Sequence, residues 1–154
     1  METGSAAGIA TTKGVPFVDA LVRLSHVVHH VFAEVSRDYG LTPQQTQLLC
    51  LLTQGPVGMT ELSRLMHLEK SSMTGLVDRV ERRRLIARTR DSRDRRACQI
   101  ELTDPGLRLA VAAHDDVRAR LRTLTGDLSA ADKEHLASVI TQILVARSRR
   151  PRPA

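Results

Sequence analysis

The residues of this chain best suited to chemistry lie between Lys70 and Arg96, in the stretch KSSMTGLVDRVERRRLIARTRDSRDRR. Ten basic side chains fall there: Lys70, Arg79, Arg82, Arg83, Arg84, Arg88, Arg90, Arg93, Arg95 and Arg96. Four acids oppose them: Asp78, Glu81, Asp91 and Asp94. The segment therefore carries +6, which is also the net charge of all 154 residues, so the remainder balances to zero. Guanidinium groups stay charged and present a fork of N–H donors that matches phosphate. Cationic excess gathered in one stretch is the electrostatic footprint of a polyanion partner, most often nucleic acid. A solvated basic surface has the same composition, so the elements that carry the cations must separate the two readings.

The cations start on a helical pattern. Met73, Leu76, Val77 and Val80 form an apolar stripe that predicts a helix over about 69–83. At 100° per residue its outer face holds Ser71, Thr74, Gly75, Asp78, Arg79 and Arg82. Ser71, Ser72 and Thr74 are short hydrogen-bonding side chains at the N-terminal end, where such a helix meets base edges. Asp78, four residues before Arg82, is placed to orient that guanidinium. An ordinary amphipathic surface helix shows the same stripe, and the neighbouring elements decide against it. Upstream, Thr60 stands as the N-cap of a short helix holding Leu62, Leu65 and Met66, with a turn at His67-Leu68. Two short helices, a tight turn and a longer helix make a helix-turn-helix. Downstream, 85–90 and 97–102 read as strands, the second placing Cys98, Ile100 and Leu102 on one inward face. Between them lies Asp91-Ser92-Arg93-Asp94-Arg95-Arg96. This is a hairpin tipped with arginines, the side chain that enters a narrow, electronegative minor groove.

Other helices must position this unit. A first helix begins at Pro16, with Phe17, Leu21, Leu24, Val28, Val31 or Phe32, and Val35 on one stripe, and stops at Tyr39-Gly40. Thr42-Pro43-Gln44-Gln45 is a capping box opening a second helix with Leu48, Leu49, Leu51 and Leu52, which ends before Gly55-Pro56. Thr103 caps a long fifth helix with a seam of Leu107, Ala110, His114, Val117, Leu121 and Leu124. Ser129, with Asp132 as its partner, caps a sixth helix with Leu136, Val139, Ile140, Ile143 and Leu144 inside. The fold class is mainly α: a winged helix-turn-helix with six helices and a two- or three-stranded wing sheet.

Composition narrows the function classes. The length suits one ordinary domain. With no Trp, one Tyr and two Phe, base-stacking single-strand binders are disfavoured, while a duplex reader built on helix side chains and arginines is not. Cys50 and Cys98 form neither a CxxC pair nor a zinc framework, and both are expected to be buried and inert in a reducing cytosol. Residues 1–15 lack the pattern of a secretory signal, and no apolar run is long enough for a bilayer. No nucleophile elbow, P-loop, zinc-protease helix or dinucleotide fingerprint occurs, so neither an enzyme nor a cofactor is expected.

The order of elements resembles the MarR family of bacterial transcription regulators. Met59-Thr60-Glu61-Leu62, Lys70-Ser71-Ser72-Met73-Thr74, Leu76-Val77-Asp78-Arg79-Val80-Glu81, Asp91-Ser92-Arg93-Asp94-Arg95-Arg96 and Leu102-Thr103 carry the resemblance, which spans about 16–147. Arg84 stands where the family usually has Gly just after the recognition helix, and Pro105 where it usually has a charged residue. The resemblance implies a cytoplasmic homodimer bound to a pseudo-palindromic operator in double-stranded DNA. Residues 15–147 would form one domain, with a DNA-binding lobe at 42–102 and dimerisation helices at 15–39 and 103–147, between a mobile tail at 1–14 and a basic tail at 148–154. DNA contacts are expected from Lys70, Ser71, Ser72, Thr74, Gly75, Arg79, Arg82, Arg93, Asp94, Arg95 and Arg96, with Asp94 holding an arginine in pose. The regulator would be a repressor answering to a small-molecule effector.

The candidates for the effector site are His26, His29, His30 and His114. His26 and His30 stand at i,i+4, a spacing that also suits a divalent metal, although they lie opposite the main apolar stripe, where ordinary surface residues occur. His114 interrupts an apolar row, as a hydrogen-bonded interface histidine also would. A metal-responsive regulator using these histidines is the second reading. A general basic protein binding nucleic acid or an anionic surface is the third, and the wing signature speaks against it. No membrane partner is expected.

Overall fold

The computed structural model describes residues 14–90, 93–94 and 97–148. Arg95, Arg96 and most of the two expected tails lie outside the described residues. In chain order the elements are α1 (Phe17–Asp38), α2 (Pro43–Leu52), β1 (Val57–Gly58), α3 (Met59–Met66), α4 (Lys70–Arg82), β2 (Ile86–Arg90), β3 (Cys98–Leu102), α5 (Asp104–Leu124) and α6 (Ala130–Ser148). The three strands form an antiparallel sheet in the order β1-β3-β2. β1 is two residues long and pairs Val57 with Ile100, too short a run for an alternation to announce it.

Three helices end on the same backbone device. At the end of α1, Gly40 takes a left-handed φ of 63°, Gly40 N–H donates to Arg37 O at 3.2 Å and Leu41 N–H to Ser36 O at 2.8 Å. This 5→2 and 6→1 pair is the Schellman stop. α3 ends alike with His67 at φ 54°, and α4 with Arg84 at φ 59°. Arg84 thus accepts the left-handed conformation that favours Gly, at a cost on the order of 1–2 kcal/mol. Thr103 Oγ1 donates to the Arg84 carbonyl at 2.6 Å and itself accepts the Gly106 N–H at 3.2 Å. One threonine therefore joins the exit of α4 to the entry of α5. Gly106 fits against that exit only because it lacks a side chain: a Cβ there would sit 1.7 Å from the Leu85 carbonyl oxygen.

The Thr42–Gln45 capping box forms as expected, and Pro105 sits in the first turn of α5. Ser129 Oγ receives the Asp132 N–H at 3.0 Å at the start of α6. Thr60 does not cap α3. The helix starts two residues earlier, at Met59 with Gly58 as its N-cap and no side-chain cap, because β1 carries the chain straight into it.

The main core gathers Leu48, Leu49, Leu62, Met73, Leu76, Val77, Val80 and Ile100 from α2, α3, α4 and the sheet. A second, smaller cluster joins α1 to α5 through Val31, Val35, Ala113 and Val117. Ser36 and Thr46 are fully buried and hydrogen-bond across α1 and α2 at 2.7 Å, so neither hydroxyl is left unmatched. Within one chain the expected stripes of α1, α5 and α6 are only partly covered. Phe17, Leu21, Leu24, Leu107, Leu124, Leu136, Ile140, Ile143 and Leu144 are exposed, Phe17 at 66% and Leu144 at 60%. Leu65, expected inside α3, is also exposed.

Urea denaturation at fixed protein concentration tests the two backbone constraints. Arg84→Gly relieves the left-handed cost and should raise stability by about 0.5–1 kcal/mol once the greater freedom of unfolded glycine is subtracted. Gly106→Ala should lower stability by about 1–3 kcal/mol or more, since the clash is with backbone.

Candidate nucleic-acid interface

α4 is oriented by its buried stripe. Met73, Leu76, Val77 and Val80 are at most 1% exposed, which leaves Lys70, Ser71, Ser72, Thr74, Arg79 and Arg82 exposed and Gly75 half-buried. Thr74 Oγ1 donates back to the Lys70 carbonyl at 2.9 Å. Arg79 folds over Gly75, its Nη1 3.3 Å from where a Cβ would stand. The missing side chain leaves the guanidinium free to lie along the helix.

Asp78 does not orient Arg82 through its carboxylate. Arg82 Nε donates instead to the Asp78 backbone carbonyl at 3.3 Å. The Asp78 carboxylate turns to Arg88 on β2, at 2.5 Å from Nη2, and Glu81 pairs with the other end of the same guanidinium. The hydrogen bond to Asp78 raises the Arg88 pKa above its ordinary value. Pairs this exposed are worth roughly 0–1 kcal/mol, so their effect is geometric. They bind the first strand of the hairpin to α4 and turn both acids of that helix toward β2, leaving Lys70, Arg79 and Arg82 as the exposed cations of the helix. Arg88 was not singled out among the candidate residues. Its partners lie seven and ten residues away across an element boundary, beyond any helix-spacing rule. Arg93 and Asp94 are exposed at the far end of the same hairpin, and Asp94 O accepts from Ala97 N–H at 2.9 Å.

A cleft of about 470 Å³ opens between α1 and the first turns of α2. Its walls are mainly Leu21, Leu24, Val28, Phe32 and Pro43, with Ser25, His29, Gln44 and Gln47 as polar groups. Of the four histidines considered for an effector, His29 lines this cleft and the other three do not. His30 instead lies 3.2 Å from Glu34 along the exposed side of α1, His26 is exposed, and His114 is half-buried on α5 beside Asp115. Among the described residues, no three His, Cys, Asp or Glu side chains gather as a metal ligand set. Nor is any described helix long and apolar enough to cross a membrane.

The cysteines differ from each other. Cys50 is half-buried, and desolvation pushes its pKa up to about 11. Cys98 is exposed, contrary to its expected inward position. It begins β3 opposite Arg90, at the end of the ladder, where the helices no longer cover the sheet face.

With this geometry in hand, known proteins supply the comparison. The MarR family model matches residues 41–98, which take in α2, α3, α4 and β2 and stop at the first residue of β3. The transcriptional activatory protein BadR of Rhodopseudomonas palustris is 30% identical over 129 residues, covering 80% of this chain and 74% of its own. The chain belongs to the MarR family. It is a MarR-family DNA-binding transcription regulator with the family's winged helix-turn-helix fold, and not an enzyme. The HTH-type transcriptional repressor NicR of Pseudomonas putida is 27% identical over 129 residues, 82% of each chain. The crystal structure of CouR from Rhodococcus jostii RHA1 bound to p-coumaroyl-CoA superposes with a TM-score of 0.74 at 26% identity, covering 80% of this chain and 88% of that one.

Thiol chemistry separates the two cysteines of this MarR-family chain. At pH 8 an aromatic disulfide reagent should label Cys98 rapidly and Cys50 slowly, because Cys50 is shielded and keeps its proton. Two equally fast thiols would contradict this assignment. Cys50 holds its proton longer in the fold than in the unfolded chain. Its contribution to stability should therefore fall as pH rises from the ordinary 9.0 towards about 11.

Proposed function

We propose that the chain acts as a homodimeric, sequence-specific binder of duplex DNA, in which α4 enters the major groove and the β2–β3 hairpin serves as the wing. The observation that carries this reading is the outer face of α4, where Arg79 and Arg82 stand exposed while both acids of the helix turn to Arg88. Ser71, Ser72, Thr74, Gly75 and Arg79 would meet base edges, with Lys70 and Arg82 on nearby phosphates. Arg93, Arg95 and Arg96 would supply the wing. The DNA-binding lobe is then 42–102, and residues 15–39 and 103–147 hold the dimer. The exposed large apolar side chains of α1, α5 and α6 support that division, since apolar faces left uncovered in one chain mark association surfaces. Light scattering should give about 34 kDa, twice the 17.0 kDa chain.

Binding over a promoter would exclude polymerase, and the P. putida relative is a repressor, whereas the R. palustris relative is an activator. A reporter that rises when the regulator is deleted supports repression; one that falls reverses the sign. The cleft between α1 and α2 is the proposed effector site, supported by its size and mainly apolar wall. The CouR structure, with its aryl-acyl ligand, shows that a protein of this fold accommodates small molecules.

Fluorescence anisotropy with duplex DNA from upstream of its own gene tests the DNA reading, against RNA of the same sequence and anionic vesicles. Duplex affinity should dominate and fall linearly with log salt concentration. Alanine at Arg79, Arg95 or Arg96 should each cost about 1–3 kcal/mol of specific binding if that side chain reads a groove. Arg88→Ala should weaken binding as well, because it frees two carboxylates on the reading helix. Unchanged affinity in all four variants, or equal affinity for RNA and vesicles, would overturn the proposal.

A further inference from the structure

The strongest unassigned feature is Arg83, the cap of α4. It contributes nothing to the outer face described above. Instead its Nη1 donates to the Gly40 carbonyl at 2.9 Å and to Gln45 Oε1 at 3.3 Å. Both acceptors belong to the junction between α1 and α2. Gly40 is the left-handed residue that ends α1, and Gln45 is the buried partner of the Thr42 capping box. The same Gln45 Oε1 also accepts the Thr42 backbone N–H at 3.1 Å, so one oxygen holds the start of α2 and the end of α4 together.

This junction is also a wall of the cleft. Pro43, Gln44 and Gln47, which flank Gln45 on the first turns of α2, line it from one side, and Leu24, Val28 and Phe32 of α1 from the other. A molecule entering the cleft must press on the turn whose cap Arg83 grips. Interiors this closely packed move as units, so displacement of that turn is felt at its hydrogen-bonded neighbours.

We infer that Arg83 is the positioning residue that couples occupancy of the α1–α2 cleft to the placement of α4 on DNA, through Gly40 and Gln45. The inference rests on the proposed effector reading of the cleft and adds the element that transmits it. α4 is held by its core stripe along its length and by Arg88 towards the hairpin. Arg83 supplies its direct polar contact to the α1–α2 junction, so loss of that contact frees the C-terminal end of the helix from the cleft without removing the stripe that orients it.

Coupling is a ratio and is reciprocal between the two ligands, which makes it measurable without knowing the natural effector. The probe is N-phenyl-1-naphthylamine, chosen because no Asp, Glu, Lys or Arg among the described residues lines the cleft and because a neutral dye does not respond directly to the charge of DNA. Its affinity is measured by fluorescence on the full chain, free and saturated with a duplex that the protein has selected from a random library. Val28→Trp, which fills the cleft, should abolish the signal. In the unmodified protein the duplex should change probe affinity by about fivefold or more. Arg83→Met keeps the aliphatic stem and loses the donors, and should bring that ratio below about twofold. Arg83→Lys can still donate to the Gly40 carbonyl and should retain an intermediate ratio. A merely structural role would lower both affinities and leave their ratio alone. An unchanged ratio in Arg83→Met overturns the relay while the cleft reading stands. A ratio of one in the unmodified protein, or a signal that survives Val28→Trp, overturns the cleft reading and the relay with it.

Discussion

Met73, Leu76, Val77 and Val80 lie along one stripe of α4, and none is more than 1% exposed. Each such burial is worth roughly 1.5–3 kcal/mol, so a rotation of α4 by one residue, about 100°, would take several of these side chains into water. The ion pairs from Asp78 and Glu81 to Arg88 are solvent-exposed and individually weak. The apolar stripe therefore decides which way the helix faces, and the ion pairs settle which charges remain on its outer side. A reading helix needs both. Orientation without charge adjustment would set two carboxylates beside phosphate, and charge without orientation would leave Arg79 and Arg82 without a defined direction.

Much of this arrangement was legible before any coordinates. The stripe of α4, the capping box at Thr42, the cap at Thr103 and the stop at Gly40 all follow from local rules of spacing and capping, and the structure contains each of them. What local rules could not supply was the partner of each polar side chain across element boundaries. Helix spacing pairs Asp78 with Arg82 at i,i+4, whereas β2 brings Arg88 into better reach. Strand alternation predicts Cys98 inward, but it stands exposed at the ladder's end, opposite Arg90. Arg84 stands where Gly is usual, and its φ of 59° shows that the chain keeps the left-handed turn and bears the strain. Of the four histidines, only His29 lines the cleft; the apolar stripe of α1 marks its inward side but not which part of that side α2 meets.

The outer helices present the opposite situation. Their apolar residues were read as inward-facing, and in the single chain many of them are exposed. α6 leaves Leu136, Ile140, Ile143, Leu144 and Val145 uncovered, although side chains of these types call for burial. Two copies that cover these faces mutually would supply that burial and would also fix the spacing between two α4 helices. Polar ties run alongside the apolar ones: Arg120 on α5 bridges Glu34 and Asp38 of α1, and Tyr39 donates to Asp116 at 2.8 Å. These contacts anchor the end of α1 just before the junction that Arg83 holds. Two of the helices proposed for assembly, α1 and α5, and the helix proposed for reading thus meet around one short connector, residues 39–42.

The claim on which the account depends is that α4 lies in the major groove of duplex DNA. Methylation interference on the selected duplex tests it directly, because guanine N7 lies in the major groove and adenine N3 in the minor groove. Two patches of guanine-N7 interference about one helical turn apart, ~34 Å on one face of the duplex, are the result expected for two copies of α4. Adenine-N3 interference should flank them where the wings reach. Binding that tolerates guanine-N7 methylation throughout the site would contradict the account.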